Sequence, residues 1–167
     1  VLYFLLLSGV LGVFASLDLF FFFFFYELAV LPMYLLIGVW GTSSDFRTFI
    51  RTKEYGAMKL VMYLVAGSVL VWITIMAIFV EAGLGTFSIA EREEAEFSEN
   101  FQRVFFPFLM VGFGVLAGLW PFHTWSPDGH VAAPTAVSMV HAGVLMKLGA
   151  FGIIRIGMQL LPAGAED

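Results

Sequence analysis

Long runs of apolar residues, separated by shorter polar connections, form the pattern of the whole chain. About 20 apolar residues in a helix cross the ~30 Å hydrocarbon core of a bilayer. Five stretches approach or exceed that length: Val1 to about Leu17, Leu19 to Trp40, Gly56 to Val80, Val104 to Phe122 and Val131 to Leu161. Phenylalanine fills every position of residues 20–25, which excludes the alternation typical of a membrane barrel strand. The pattern therefore predicts an all-α membrane protein with five transmembrane helices.

The polar connections between these runs differ in charge. Residues 41–55 carry more basic than acidic side chains, whereas residues 81–103 carry six glutamates against two arginines. Because cytoplasmic loops of membrane proteins are enriched in Lys and Arg, we expect the basic loop 41–55 to be cytoplasmic. We expect the acidic extramembrane loop 81–103 to lie outside. Alternation along the chain then places the turn at Asp18 outside and the stretch 123–130 inside.

The composition supports the membrane assignment and narrows the function. Hydrophobic residues make up 60% of the chain and charged residues 13%. A chain of this composition has too few polar side chains to cover the surface of a water-soluble domain. The absence of cysteine excludes disulfides, thiolate metal sites and an iron–sulfur cluster held by this chain's own cysteines. A formal net charge of −5 argues against nucleic acid as a partner. Because Val1 already lies within an apolar run, we interpret residues 1–167 as one domain of a longer membrane protein.

Four ionisable residues lie well inside the predicted spans: Glu27, Lys59, His141 and Lys147. A charge near the bilayer centre costs roughly 3 kcal/mol, so such residues usually have a functional role. Glu27 is followed by Pro32, whose missing N–H frees the carbonyl of Leu28 for a water or a lysine. A desolvated lysine can release its proton near neutral pH, and histidine titrates in that range without any perturbation. We therefore predict that these four side chains form a proton relay.

Each of these residues also has a structural interpretation. Glu27 could tie two helices together, and His141 could be a neutral packing residue. Lys59 could extend its amine to the basic inner face, and Lys147 could likewise extend its amine toward a membrane surface. His123 and His130 flank a segment rich in proline and glycine, which predicts a tight, rigid turn. Those two histidines could couple the inner aqueous phase to the helices or cap helix ends.

Two further functions fit parts of the pattern. An intramembrane metalloenzyme could use His123, Asp128 and His130, but a separation of seven residues across a proline-rich turn is a poor match to zinc-site spacings. A structural scaffold, in which the buried charges only hold helices together, would use the same residues without moving protons.

Three segments resemble chain M of respiratory complex I (NADH:quinone oxidoreductase), which mitochondria call subunit 4. The segments are YELAVLPMYLLIGVWG at residues 26–41, PFHTWSPDGH at residues 121–130 followed by APTA at 133–136, and LMKLGAFG at residues 145–152. The same chain M pattern is matched by Asp18-Leu19, Gly67-Ser68 and Arg155. The resemblance covers nearly the whole chain except residues 81–103.

The resemblance implies an antiporter-like, non-redox translocase subunit of fourteen helices, built from two inverted five-helix repeats that each form a proton half-channel. Residues 1–167 would be helices four to eight, the first repeat. Glu27 matches the family's fifth-helix glutamate by position, and Lys147 matches its eighth-helix lysine. The resemblance also implies neighbouring membrane subunits of the chain L and chain N type in a bacterial inner membrane. NADH, FMN, iron–sulfur clusters and quinone would be bound elsewhere in that complex and none by this chain.

The chain departs from the family at two positions. Leu116 stands where the family has the seventh-helix lysine that pairs with the glutamate, and His141 stands where the family usually has leucine. A histidine such as His141, or Lys59, could supply the missing positive charge, or this half could move protons differently. We expect His141 to point toward Leu116. Three alternatives stay open: a scaffold half with an inactive channel, a subunit of a related cation/proton antiporter, and a subunit of a membrane-bound hydrogenase.

Overall fold

The computed structural model describes residues 1–46, 49–83, 85–93 and 97–166 and is almost entirely helical. The first half contains α1 (Leu2–Ala15), α2 (Leu19–Trp40) and α3 (Lys53–Ala82), with an antiparallel hairpin of β1 (Ser44–Phe46) and β2 (Phe49–Arg51) before α3. The second half contains α4 (Ile89–Glu93), α5 (Glu99–Ala117), α6 (Trp125–Ala132), α7 (Thr135–Val140), α8 (Met146–Gly152) and α9 (Pro162–Glu166). A 3₁₀ turn (Phe122–Thr124) precedes α6, and π-helical segments follow α7 (His141–Leu145) and α8 (Ile153–Met158).

Within the described ranges, four segments are long and apolar enough to cross a membrane: Leu19–Trp40, Lys53–Ala82, Glu99–Ala132 and Thr135–Met158. The first predicted span corresponds to α1, which is a shorter apolar helix. The prediction of an all-α membrane protein is confirmed, and the short β hairpin is a local addition that the pattern did not predict.

Side-chain caps fix where the three long helices begin. The carboxylate of Asp18 accepts hydrogen bonds from two backbone N–H groups in the first turn of α2, at 2.9 and 3.1 Å. Thr52 and Ser98 cap α3 and α5 in the same way, at 3.2 and 3.3 Å. A side-chain oxygen at this position satisfies N–H groups that have no partner inside the helix, so each apolar run starts at a defined residue.

The segment 121–130 is not the tight turn that the sequence predicted. Gly118 ends α5 in the left-handed conformation, with φ 71°, and after the 3₁₀ turn the chain enters α6. Pro127 lies in the first turn of α6, where a missing N–H removes no bond of the helix. The fourth span is therefore a broken helix that continues beyond its predicted end at Phe122.

Helix α6 packs along the first half of α3 in the opposite direction. The hydroxyls of Tyr63 and Thr124 lie 3.1 Å apart near the start of α6. Further along α6, a Cβ added to Gly56 of α3 would lie 2.9 Å from the Asp128 carbonyl oxygen. Because α3 is one of the membrane-crossing helices, this contact brings the polar residues of α6 beside its first turns.

The connections between helices pair at opposite ends of the bundle. Asp18 and Ser88 form an isolated antiparallel bridge between the α1–α2 turn and the segment before α4. The backbone N–H of Thr42, after α2, donates to the carbonyl of Ala132 at the end of α6, at 2.9 Å. This pairing agrees with the predicted alternation of successive connections between the two sides of the membrane. Which end of the bundle is cytoplasmic stays a prediction.

Close backbone contacts at glycines hold the central helices together. A Cβ added to Gly67 of α3 would lie 2.9 Å from the carbonyl oxygen of Gly112 on α5, and the reverse contact would be 2.7 Å. At Gly149 of α8, an added Cβ would lie 2.5 Å from both the Ala117 amide nitrogen and the Phe113 carbonyl oxygen of α5. Small residues allow this approach, which is how membrane helices gain packing contacts without a hydrophobic driving force.

We expect Gly149→Ala to destabilise the bundle by about 1–3 kcal/mol, because its methyl group would meet the α5 backbone, which cannot rotate away. Gly114→Ala is the matched control, since its Cβ would meet only the Leu119 side chain at an ordinary 3.5 Å. The midpoint temperature of aggregation of the purified membrane complex measures the effect. Equal midpoints for the two variants would show that α5 and α8 are less tightly fixed than the contact implies.

Candidate functional site

Glu27 directs its carboxyl group between α2 and α3. Its Oε1 atom is buried and has no hydrogen-bond partner among the described residues. The side chain of Ser68 on α3 faces this carboxyl group, although its hydroxyl donates to the Val65 carbonyl at 3.0 Å. One turn earlier on α3, the Leu64 carbonyl accepts a hydrogen bond from the Tyr26 hydroxyl at 3.2 Å. A rotation of the Ser68 hydroxyl would therefore give Glu27 a donor without moving either helix.

Lys59 forms an ion pair with Asp128 and not with Glu27. Its Nζ donates to Asp128 Oδ2 at 2.8 Å, and the two side chains are 19% and 3% exposed. The amine is thus turned into the interface of α3 and α6 instead of extending to the inner face. Ser68, which faces Glu27, lies about 14 Å further along α3 at 1.5 Å per residue. Lys59 therefore does not pair directly with Glu27, and its role as a substitute for the missing lysine stays a prediction.

His141 is fully enclosed by protein, at 0% exposure. Its ring stacks on His130 at a centroid distance of 4.2 Å and on Trp125 at 5.3 Å, with interplanar angles of 25° and 24°. Neither ring nitrogen has a hydrogen-bond partner among the residues that the structure describes. A buried polar group without a partner costs about 1–3 kcal/mol, so this imidazole is not explained by packing alone. Its contacts lie on α6, so His141 does not pair directly with Glu27 either.

Trp125 connects His141 to the part of α5 that carries Leu116. The indole N–H of Trp125 donates to the carbonyl of Val115 at 2.9 Å, and the neighbouring Leu116 is buried. The expectation that His141 points toward Leu116 stays a prediction. The Trp125 indole stacks on His141 and is hydrogen-bonded to Val115, the residue next to Leu116. One side chain therefore links the two positions, 116 and 141, at which the chain departs from the family pattern.

Lys147 lies on α8 just after a π-helical segment. The π geometry directs the Met146 N–H to the carbonyl of His141, five residues earlier, and Lys147 Nζ donates to the carbonyl of Ala142 at 2.7 Å. Its side chain is exposed on the outer face of this chain, and its charge is close enough to His130 to interact with it. His130 thus interacts with both Lys147 and His141, and its Nδ1 lies 2.9 Å from the Ser138 hydroxyl. Local π geometry is often found at functional sites.

The remaining predicted residues lie apart from this cluster. His123 is exposed at the 3₁₀ turn, and Arg155 Nη1 donates to the Gln159 side chain at 2.7 Å. In the described part of the chain, no group of three or more His, Asp or Glu side chains could hold a metal ion. The structure therefore gives no support to a metal site at His123, Asp128 and His130.

Sequence reasoning missed two partners of the predicted residues. Asp128 was considered only as a turn residue or metal ligand, and Ser68 only as part of a motif. A buried lysine requires a counter-charge, and that rule could have drawn attention to Asp128 as an acid within an otherwise apolar stretch.

The residues around this site match one sequence family. The family described as "NADH:quinone oxidoreductase/Mrp antiporter, TM" matches residues 16–165. NADH-quinone oxidoreductase subunit M of Pseudomonas aeruginosa is 38% identical over 166 residues, which are 97% of this chain and 32% of that protein. NAD(P)H-quinone oxidoreductase chain 4-3 of a Nostoc species is 36% identical over 163 residues, which are 96% of this chain and 28% of that protein. The chain thus spans about a third of the length of the relatives that it matches.

A solved structure has the same fold. A chain of respiratory complex I from Thermus thermophilus with bound NADH superimposes with a TM-score of 0.86, at 24% sequence identity. The match covers 98% of this chain and 33% of that one. At this identity the likeness concerns the fold, including the arrangement of its membrane helices.

Proposed function

Since the chain belongs to the NADH:quinone oxidoreductase/Mrp antiporter family of transmembrane proteins, we propose that it translocates protons as part of NADH:quinone oxidoreductase. The observation that carries this proposal is a set of ionisable side chains enclosed between membrane helices. The set consists of Glu27, Lys59, Asp128, His130 and His141, and the exposed Lys147 lies close enough to His130 for their charges to interact. Ionisable groups inside membrane spans are costly, and they mark proton or ion pathways.

The chemistry of this subunit is proton relay without redox steps. Glu27 takes up and releases a proton at its buried carboxyl group, and rotation of the Ser68 hydroxyl adjusts its hydrogen bonding. Lys147 carries a proton as an ammonium group and can release it when desolvated. His141 accepts a proton at one ring nitrogen and releases one from the other. Next to this route, the ammonium group of Lys59 neutralises the negative charge of Asp128.

The same proposal specifies the membrane, the neighbouring subunits and the location of the redox cofactors. The chain lies in a bacterial inner membrane beside other membrane subunits of the chain L and chain N type, with loop 41–55 cytoplasmic and loop 81–103 outside. It forms the first five-helix half of a larger inverted-repeat subunit. NADH, FMN, iron–sulfur clusters and quinone belong to other parts of the complex, and energy reaches this chain through conformational and electrostatic change.

A cation/proton antiporter subunit is the second candidate function. The matching family description includes Mrp antiporters, which favours this candidate as well. The two functions differ in what drives transport, because an antiporter exchanges protons for another cation without NADH. NADH-driven transport that requires Glu27 fits the first function, whereas sodium-driven transport in membranes without NADH oxidation fits the second.

The test of the proposed function is Glu27→Gln in the complete subunit. Glutamine keeps the size and the ability to bond Ser68 but cannot carry a proton, so we expect NADH-driven proton uptake into inverted membrane vesicles to fall at least about tenfold. Glu54→Gln is the control, because Glu54 undergoes the same chemical change at an exposed position at the start of α3. Unchanged proton uptake with Glu27→Gln, in a normally assembled complex, would contradict the role of this carboxyl group.

A further inference from the structure

The π-helical segment of residues 141–145, called the π turn below, changes the partner of one backbone carbonyl. In an α-helix, the Met146 N–H would donate to the carbonyl of Ala142, four residues earlier. In this structure it donates to the carbonyl of His141, five residues earlier. The Ala142 carbonyl accepts a hydrogen bond from Lys147 Nζ at 2.7 Å. The side chain of Lys147 therefore takes a position that a backbone N–H fills in an α-helix.

This contact stabilises both the carbonyl and the lysine. Within a bilayer, a backbone carbonyl without a hydrogen-bond partner is costly, and so is a charge without one. The bond is charge-assisted, so it is stronger than a bond between two neutral groups. Because the Lys147 side chain is exposed on the outer face of this chain, packing does not fix its amine, and the Ala142 carbonyl determines where Nζ lies.

Met146 fixes the chain directly after the π turn. Its side chain fills the space beside Gly118, where α5 ends, since a Cβ added to that glycine would lie 2.7 Å from Met146 Cε. Its Sδ accepts a hydrogen bond from the Ser126 hydroxyl in the first turn of α6, at 3.5 Å. Three residues further along, Gly149 packs directly on the backbone of α5. Contacts with α5 and α6 therefore set the rotation of α8 about its own axis.

His141 fixes the other end of the π turn. Its ring is fully enclosed and stacks on Trp125 and His130 of α6, at centroid distances of 5.3 and 4.2 Å. Between the two fixed ends, Gly143 is exposed, and a Cβ added to it would meet no neighbouring helix of the described chain within 4 Å. The additional residue of the π turn is thus held on an open side of the helix, between two packed ends.

We propose that the π turn positions Lys147 for proton transfer: packing of Met146 and His141 holds the turn in place, and the Ala142 carbonyl that it frees holds the lysine amine. This proposal rests on proton translocation as the function of the chain. Met146 is a positioning residue, since it acts through Lys147 and carries no proton itself. An amine held at one place meets its proton donor and acceptor in the same geometry in each cycle, and a displacement of about 1 Å can reduce a rate by about a hundredfold.

Deletion of Gly143 tests the π turn while keeping the packing at both of its ends. The Met146 N–H still reaches the carbonyl of His141, now four residues earlier, and the backbone N–H of Lys147 takes the carbonyl of Ala142. The lysine amine then has lost its acceptor, so NADH-driven proton uptake should fall at least about tenfold. Gly143→Ala is the matched control, because it keeps the length of the turn and places its methyl group in open space, so uptake should stay within about twofold.

The midpoint temperature of aggregation separates this positioning from a general structural role. Deletion of Gly143 alone should lower the midpoint, because the Lys147 ammonium group loses the Ala142 carbonyl. In the Lys147→Met background the deletion should raise the midpoint, because methionine donates no hydrogen bond and the deletion gives the carbonyl a backbone N–H. Equal shifts in the two backgrounds would show that Lys147 and the π turn are energetically independent, and would overturn the proposal.

Met146→Ala and Met146→Leu test the same proposal should the shortened chain fail to assemble. Leucine keeps nearly the volume of methionine beside Gly118, so uptake should stay within about twofold. Alanine empties that space and frees the turn to shift, so uptake should fall at least about fivefold. Equal uptake with the two variants would overturn the positioning role of Met146.

All variants are compared in inverted vesicles at equal amounts of assembled complex. Normal uptake after deletion of Gly143 would overturn the proposal. If Glu27→Gln blocks uptake while the deletion leaves it normal, only the positioning of Lys147 by the π turn fails. If Glu27→Gln also has no effect, the proposed function fails with it.

Discussion

Replacing Lys147 with methionine is expected to reduce NADH-driven proton uptake at least about tenfold while leaving the amount of assembled complex nearly unchanged. Methionine keeps the length of the side chain and removes its charge and its proton. Little packing is lost, because the side chain is exposed on the outer face of this chain and its amine bonds only to the Ala142 carbonyl within the described residues.

Lys147→Arg separates proton release from fixed charge. Arginine keeps a positive charge beside His130 but does not release its proton, since the guanidinium group stays protonated throughout the physiological pH range. We therefore expect Lys147→Arg to be nearly as inactive as Lys147→Met. Recovery of proton uptake with arginine would mean that a permanent charge at this position is sufficient, and Lys147 would then be a counter-charge and not a carrier.

Lys53→Met is the control for this pair of variants. The amine of Lys53 donates to the Val39 carbonyl at 2.8 Å, which is the same kind of bond as that of Lys147, but at the exposed start of α3. Loss of such a bond alone should change stability slightly and leave proton uptake normal. A similar loss of uptake in both variants would assign the effect to the lost bond between a lysine amine and a backbone carbonyl.

The membrane helices could be predicted from the sequence because apolar length is a local property. The run of residues 19–40 contains Pro32, yet it forms one continuous helix, as the pattern predicted. The predicted start of this run at Leu19 coincides with the start of α2, because the Asp18 carboxylate caps the backbone N–H groups next to it.

Helix α6 was missed because the same residues suit a turn and the first turn of a helix. Pro127 removes an N–H that has no partner in either case, and the charges of Asp128 and His130 made an aqueous turn plausible. What makes the segment helical is its packing against α3, beginning near Tyr63. The pattern of one stretch of sequence does not contain that contact.

The partners of the buried charges were missed for the same reason. Lys59 and Asp128 are 69 residues apart in the chain, and neither the period nor the composition of a span specifies which helix lies beside it. The resemblance singled out Glu27, whose Oε1 atom is buried, but its role as a proton carrier stays a prediction. The resemblance also directed attention to a substitute for the family's lysine, which Leu116 replaces here, whereas the structure pairs Lys59 with Asp128.

The ion pair of Lys59 and Asp128 provides the second large effect. We expect Lys59→Met to lower the free energy of unfolding by about 3–5 kcal/mol, because it removes the ammonium group that pairs with a nearly buried carboxylate. Asp128→Leu should destabilise the bundle less, since the Lys59 side chain is 19% exposed and can turn its amine toward water. The amount of assembled complex and its midpoint temperature of aggregation measure both effects.

The double variant Lys59→Met/Asp128→Leu distinguishes stability from function. With both charges removed, neither member of the ion pair is left without the other, so we expect assembly and midpoint temperature to recover most of the loss seen with Lys59→Met. Proton uptake should stay low, because the negative charge beside the His130–His141 pair is gone. A double variant that assembles and pumps normally would make the ion pair a purely structural contact. A double variant as unstable as the Lys59→Met variant would show that the Asp128 carboxylate also stabilises the fold through groups other than Lys59.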